Sequence, residues 1–139
     1  MVILWSEKPR EVHDFVMQII LGGSSSGRIL SYSIEDCIIT RINRQGNAIH
    51  GCYKNLTRVW EDLGDYGSAN TLLIDTSNVA RVRNQDGNVI CPIPYQYHVQ
   101  ASHGQLETYL LPYLECLESV PCIPEFVKNF PFRLETELS

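Results

Sequence analysis

Thr71-Leu-Leu-Ile-Asp75 constrains this chain more than any other stretch. A continuous apolar run closed by a carboxylate reads as a strand covered on both faces, which is how strands look in a parallel sheet between helices. Val2-Ile-Leu-Trp5 is a second such run. Between the two lie helix-period segments. Val12, Phe15, Val16, Ile19 and Ile20 follow the i, i+3, i+4, i+7, i+8 stripe of a helix packed on a core. Ser6 is a possible N-cap for it, Pro9 suits its first turn, and Gly22-Gly23 ends it. Leu56, Val59, Trp60 and Leu63 mark a shorter helix over Lys54–Leu63. Alternating helices and buried strands predict an α/β fold of three layers, a mainly parallel sheet flanked by helices.

Other segments fill in this plan. Arg28–Tyr32 and Cys37–Ile42 read as strands, and Asn43–Asn47 as a turn centred on Gln45-Gly46. Gly23-Ser-Ser-Ser-Gly27 reads as a connecting loop. It lacks the Gly-Lys-Ser/Thr helix start of a phosphate-binding loop. Asn84-Gln-Asp-Gly87 signals a tight turn, and Asn88–Cys91 a short strand stopped by Pro92 and Pro94. Leu106, Leu110, Tyr113, Leu114 and Leu117 predict a helix that Pro112 kinks or restarts, and Ile123–Phe130 gives a last helix. At 139 residues the chain has the length of one domain, expected over residues 1–132 with an acidic, frayed tail over 133–139.

Composition narrows the function classes. Charged residues are 19% and hydrophobic residues 44%, which argues against disorder. The net charge of −5 argues against a nucleic-acid partner, which needs clustered basic residues. No apolar run approaches 18 residues, so no membrane span is expected. The opening residues lack a basic n-region and a signal-length apolar stretch, so an intracellular protein, nuclear or cytoplasmic, is expected. Five cysteines include no C-x-x-C pair and read as free thiols. Asn55-Leu-Thr57 reads as a chance sequon within a helical pattern. His98 and His103 flank a polar loop with no third ligand in view, so no metal site is expected there.

In open parallel sheets, ligand chemistry collects at the carboxyl ends of strands. Ser6 and Asp75 stand at two such ends, and Lys54 opens a helix between them in sequence. A hydroxyl, an ammonium and a carboxylate in that placement form an anion pocket, the first two holding phosphate oxygens. Each also has a structural reading: Ser6 as a cap, Lys54 as a solvated charge, Asp75 as a cap of the following turn.

Three stretches carry a resemblance: Val2-Ile-Leu-Trp-Ser6, Tyr53-Lys-Asn-Leu-Thr-Arg-Val59 and Asn70-Thr-Leu-Leu-Ile-Asp-Thr-Ser-Asn78. In order and spacing they resemble the haloacid-dehalogenase-type phosphatases that act on the RNA polymerase II carboxy-terminal domain, most of all the plant members. Those carry W-S-S, K-[D/E]-L-x-[R/K]-[L/V] and N-T-L-L-[I/L]-D-D-S-P. Val89–Tyr95 resembles the plant stretch T-A-I-F-P-x-P-Y, and Tyr109–Phe132 resembles the closing Y-L-E…V-x-x-N-P-F. The resemblance therefore covers nearly the whole chain. It implies a haloacid-dehalogenase-like fold. It places Ser6 on a phosphate-oxygen hydrogen bonder, Lys54 on the cation beside the phosphorylated nucleophile, and Asp75 next to a magnesium site.

The departures decide the expected activity. The family's nucleophile and general acid lie in D-x-D-x-[T/V], on a strand before the W-S-S region, and no D-x-D pair occurs here. The second acidic position of the magnesium motif is Thr76, and a neutral hydroxyl replaces a carboxylate poorly on a hard divalent ion. Without the nucleophile no aspartyl-phosphate forms, so a catalytically inactive, cofactor-free relative is expected, with Ser6, Lys54, Asp75 and Thr76 as a vestigial anion pocket. A sheet that lacks a central strand exposes unpaired backbone groups along the neighbouring strands. Three outcomes follow: the sheet closes up, a second copy supplies an edge, or another protein adds a strand. The expected function is protein–protein interaction. The alternatives are a phosphatase whose nucleophile strand comes from another chain, and a non-functional fragment. Pro92-Ile-Pro-Tyr-Gln-Tyr-His98 adds an aromatic segment whose Tyr95 and Tyr97 either serve an interface or pack over the sheet.

Overall fold

A computed structural model describes residues 1–22, 29–44 and 47–133, with side chains described except at 40–44, 47–51 and 78. The predicted loop 23–27, the centre of the predicted turn at 45–46 and the tail beyond 133 lie outside the described residues. The fold mixes helices with short sheets, and two of its three strand pairs are parallel. The chain divides into two compact units, Met1–Asn55 and Leu56–Ser139.

The first unit begins with a β-α-β segment. β1 (Val2–Trp5) leads into α1 (Arg10–Leu21), and β2 (Ile29–Tyr32) pairs parallel to β1 in the register Val2↔Ile29 through Trp5↔Tyr32. All three elements match the sequence pattern. Ser6 is not the cap of α1. Pro9 holds that position without a side-chain hydrogen bond, because the chain runs on through residues 6–8 before the helix turns. Gly22 ends α1 in the left-handed region at φ 59°, and its N–H donates to the Gln18 carbonyl.

The orientation of α1 departs from expectation. Its apolar stripe stays largely exposed: Val12, Phe15, Val16, Ile19 and Ile20 are 43–67% exposed, with Val12, Val16 and Ile20 also lining an open cavity beside β1. His13, at the edge of the stripe beside Val16 and Ile20, is buried at 4%. The physical reason lies in the polar groups. His13 Nε2 meets Ser31 Oγ on β2 at 2.8 Å, and the Arg10 guanidinium donates to the Ser31 carbonyl at 3.0 Å and to Asp36 Oδ2 at 2.8 Å. These bonds hold the Arg10–His13 edge of α1 against β2.

A short 3₁₀ turn, Ile34–Asp36, links β2 to a hairpin of β3 (Ile38–Arg44) and β4 (Asn47–Tyr53), antiparallel from Ile38↔Tyr53 to Arg44↔Asn47. β4 carries no apolar alternation that marks a strand, and its partner β3 draws it into one.

The second unit opens with α2 (Leu56–Asp62), which buries Leu56 and Val59. β5 is only Leu73–Ile74 and pairs parallel with β6 (Val89–Ile90) through α3 (Asn78–Arg83), a helix the sequence pattern did not mark. The expected strand over 71–75 is shorter than its apolar run, and Ile74 is 41% exposed, so cover on both faces is incomplete. Gly87 turns the chain into β6 at φ 86°, and a Cβ there would fall 2.6 Å from the Pro124 carbonyl oxygen.

The wide i→i+5 turn Leu106–Leu110 runs directly into α4 (Leu111–Leu117). Pro112 has no N–H to continue the α-helical ladder, and the Leu111 N–H bonds to the Leu106 carbonyl instead. The predicted irregularity at Pro112 is this turn. α5 (Ile123–Asn129) follows. The core sits in this unit: Ile90, Leu110, Val127 and Phe132 cluster with Leu72, Tyr113, Leu114 and Ile123, and Ala80, Val89 and Cys91 form a second cluster.

Candidate functional site

Ser6, directly after β1, keeps β1 and β2 in step, because its N–H donates to the Tyr32 carbonyl at 3.0 Å. Its Oγ accepts from the Lys8 N–H at 3.1 Å, a local turn bond. Ser6 also lines a cavity of about 270 Å³ between β1 and α1, with Trp5, Lys8, Val12, His13 and Val16 among its walls. Lys54 is half-buried just past β4. Both residues belong to the first unit.

Asp75 and Thr76 belong to the second unit. The Asp75 N–H continues the β5–β6 pairing by donating to the Ile90 carbonyl at 3.1 Å. Its Oδ1 accepts from the Ser77 N–H at 2.9 Å. The carboxylate therefore closes an Asx turn that sets up α3, the capping role that the sequence left open for it. Ser77 is the N-cap, with Oγ accepting from the Val79 N–H at 3.3 Å. Thr76 is exposed.

Tyr95 and Tyr97 stand 70% and 81% exposed and do not pack over the sheet. Tyr95 stacks on His103 at 5.4 Å, and Tyr97 meets His98 edge-on at 5.2 Å. Ser102, buried at 2%, closes the loop by donating to the carbonyls of Gln96 and Val99. Among the described residues, no group of three or more His, Cys, Asp or Glu side chains converges on one point.

The polar cluster that sequence reasoning missed lies behind α1. Ser33 is fully buried, its N–H donates to Asp36 Oδ2 at 2.9 Å, and its hydroxyl donates to the Glu35 carboxylate. The Arg10 N–H also donates to Glu35, at 3.3 Å. These donors, the Ser33 hydroxyl first, hold the Glu35 carboxyl below the ordinary carboxylate value. The Trp5 indole N–H reaches the Ser33 carbonyl at 3.2 Å and ties β1 to the same cluster. The one signal in the sequence was Arg10 and His13 three residues apart on α1, bordering the apolar stripe. Nearby, burial pushes the Cys37 thiol up to about 12, and the neighbouring Cys52 thiol adds to the shift.

No protein-family model matches this chain, and neither a curated protein nor a solved structure matches it.

Proposed function

We propose that this chain is a protein-binding module, a non-catalytic relative of the haloacid-dehalogenase-type phosphatases, and that α1 is the surface its partner covers. The exposed stripe Val12, Phe15, Val16, Ile19 and Ile20 carries this reading. Five large apolar side chains on one helix face form a contiguous patch of the kind that marks interaction sites. Edges add to it. Among the described residues β1 and β2 pair only with each other, so each has an edge on which a partner strand fits. A partner that supplies strand and cover builds the three-layer arrangement around β1 and α1. Kinship with the phosphatases rests on the order of the three sequence stretches. Thr76, where the family's magnesium motif has its second acidic residue, supports the lack of turnover.

Light scattering on the chain over a range of concentrations, with hydroxyl-radical footprinting of α1, tests this. Self-association that Phe15→Glu/Ile19→Glu removes identifies a second copy as the partner. A monomer in which Phe15 and Met17 are freely oxidised leaves the face open for a different protein. A monomer in which they are protected means the chain covers its own stripe, and overturns the reading. Magnesium-dependent turnover of an aryl phosphate sinks the non-catalytic part.

A further inference from the structure

The second unit holds a groove of about 820 Å³ lined only by its own residues. Helical spacing builds one wall: Tyr109, Pro112, Tyr113 and Cys116 fall at i, i+3, i+4 and i+7 along the wide turn and α4. Phe126 and Asn129 of α5, with Phe130 at its C-cap, build the other, and Phe132 closes the floor.

The rings are held before any ligand arrives. Tyr113 stands edge-on to Phe126 at 5.8 Å and to Phe132 at 5.4 Å, and its hydroxyl donates to the Phe130 carbonyl at 2.8 Å. Phe132 is buried at 4% and anchors the set in the core. Phe130 and Tyr109, by contrast, are 62% and 46% exposed and present ring surface to whatever enters. Preorganised aromatic walls leave little side-chain ordering for binding to impose. A mostly apolar site of several hundred Å³ with a few polar groups is the form small-molecule sites take.

Charge selects the ligand. Among the described residues that line the groove, Arg133 is the only charged one, in a chain whose net charge is −5. We infer that this groove binds a small planar aromatic anion, the rings stacking against Tyr109 and Phe130 and the carboxylate or sulfonate meeting the Arg133 guanidinium. A guanidinium holds such oxygens through paired, charge-assisted hydrogen bonds.

The test uses the full chain and two probes: 1-anilinonaphthalene-8-sulfonate, and the uncharged N-phenyl-1-naphthylamine. Fluorescence titration gives saturable one-to-one binding of the sulfonate. Arg133→Gln weakens the sulfonate roughly tenfold, the value of one charge-assisted hydrogen bond, and leaves the neutral probe unchanged. Tyr109→Ala and Phe130→Ala weaken both probes, and their exposure lets the fold persist, which circular dichroism checks. Phe15→Glu/Ile19→Glu on α1 changes neither titration. Loss of sulfonate binding in the α1 variant, or binding indifferent to Arg133→Gln and Phe130→Ala, overturns the inference, as does no saturable binding. None of these outcomes bears on the partner proposed for α1, which the footprinting decides separately.

Discussion

Asn88 shows how much one buried side chain organises. It has no exposed surface, and its amide donates to the carbonyls of Ser68 and Thr71 at 2.7 Å each while its Oδ1 accepts from the Ser68 hydroxyl. Three bonds thus clamp the segment before β5 to the start of β6. Asn88→Ala strands those partners in a dry interior, at a cost of about 2–4 kcal/mol. Urea unfolding checks this: the midpoint falls while the slope stays unchanged. A milder outcome means water replaces the amide. Cys37 gives a residue-scale prediction in pH. Its folded value is pushed up to about 12, so the folded state holds the thiol proton more tightly than the unfolded chain does. The stability this contributes is present below the ordinary thiol pKa and is lost as pH rises from there toward 12. Between pH 7 and pH 10 the unfolding midpoint of the parent chain therefore falls more steeply than that of Cys37→Ser. Equal slopes mean the thiol is solvated. Residues of the expected anion pocket were legible only as types. The sequence singles out Asp75, yet its carboxylate is occupied by the Ser77 N–H, a bond that depends on the backbone turning at once after β5.

Elements with a strong period were readable, and those without one were not. α1 announces itself through its stripe and its closing glycine, and α2, α4 and α5 through theirs. What the period does not say is which way the stripe faces. Burial of His13 against Ser31, and the reach of Arg10 to Asp36, set a roll of α1 that leaves its apolar stripe largely exposed, and those partners are more than 15 residues distant in sequence. β4 was invisible because His50-Gly-Cys52 has neither alternation nor a β-branched run, and pairing with β3 alone makes it a strand. α3 was hidden because it is short and begins among turn residues, where Ser77 supplies what periodicity does not. That cap makes a prediction. Ser77→Ala removes the acceptor for the Val79 N–H and costs about 1 kcal/mol. Amide exchange in α3 then speeds up by roughly fivefold, as that free energy requires. No change in exchange means the 3.3 Å bond contributes nothing.

The two units divide the physics unevenly. Among the described side chains, every buried apolar residue except Tyr32 lies in Leu56–Ser139. That unit has clusters around Ile90 and Cys91, an Asn88 clamp and a parallel strand pair joined through a helix. The first unit instead buries His13, Ser33 and Tyr32 and leaves the stripe of α1 in water. Hydrogen bonds alone contribute about 1 kcal/mol each in net terms, and apolar burial supplies most of the driving force in folding. The second unit therefore has the means to fold by itself, and the first draws on something further, which is the physical content of proposing a partner for α1. Expressed alone, residues 56–139 give a cooperative thermal transition and slowly exchanging amides in β6. Residues 1–55 alone exchange fast throughout and show no cooperative transition. Adding the second fragment in trans leaves that exchange fast if, as proposed, a separate chain supplies the missing cover. Protection of α1 by the second fragment places the cover within the chain and removes the reason for a partner. A cooperative transition in 1–55 alone means the Arg10–Ser31–Asp36 network is strong enough to hold the unit without apolar burial.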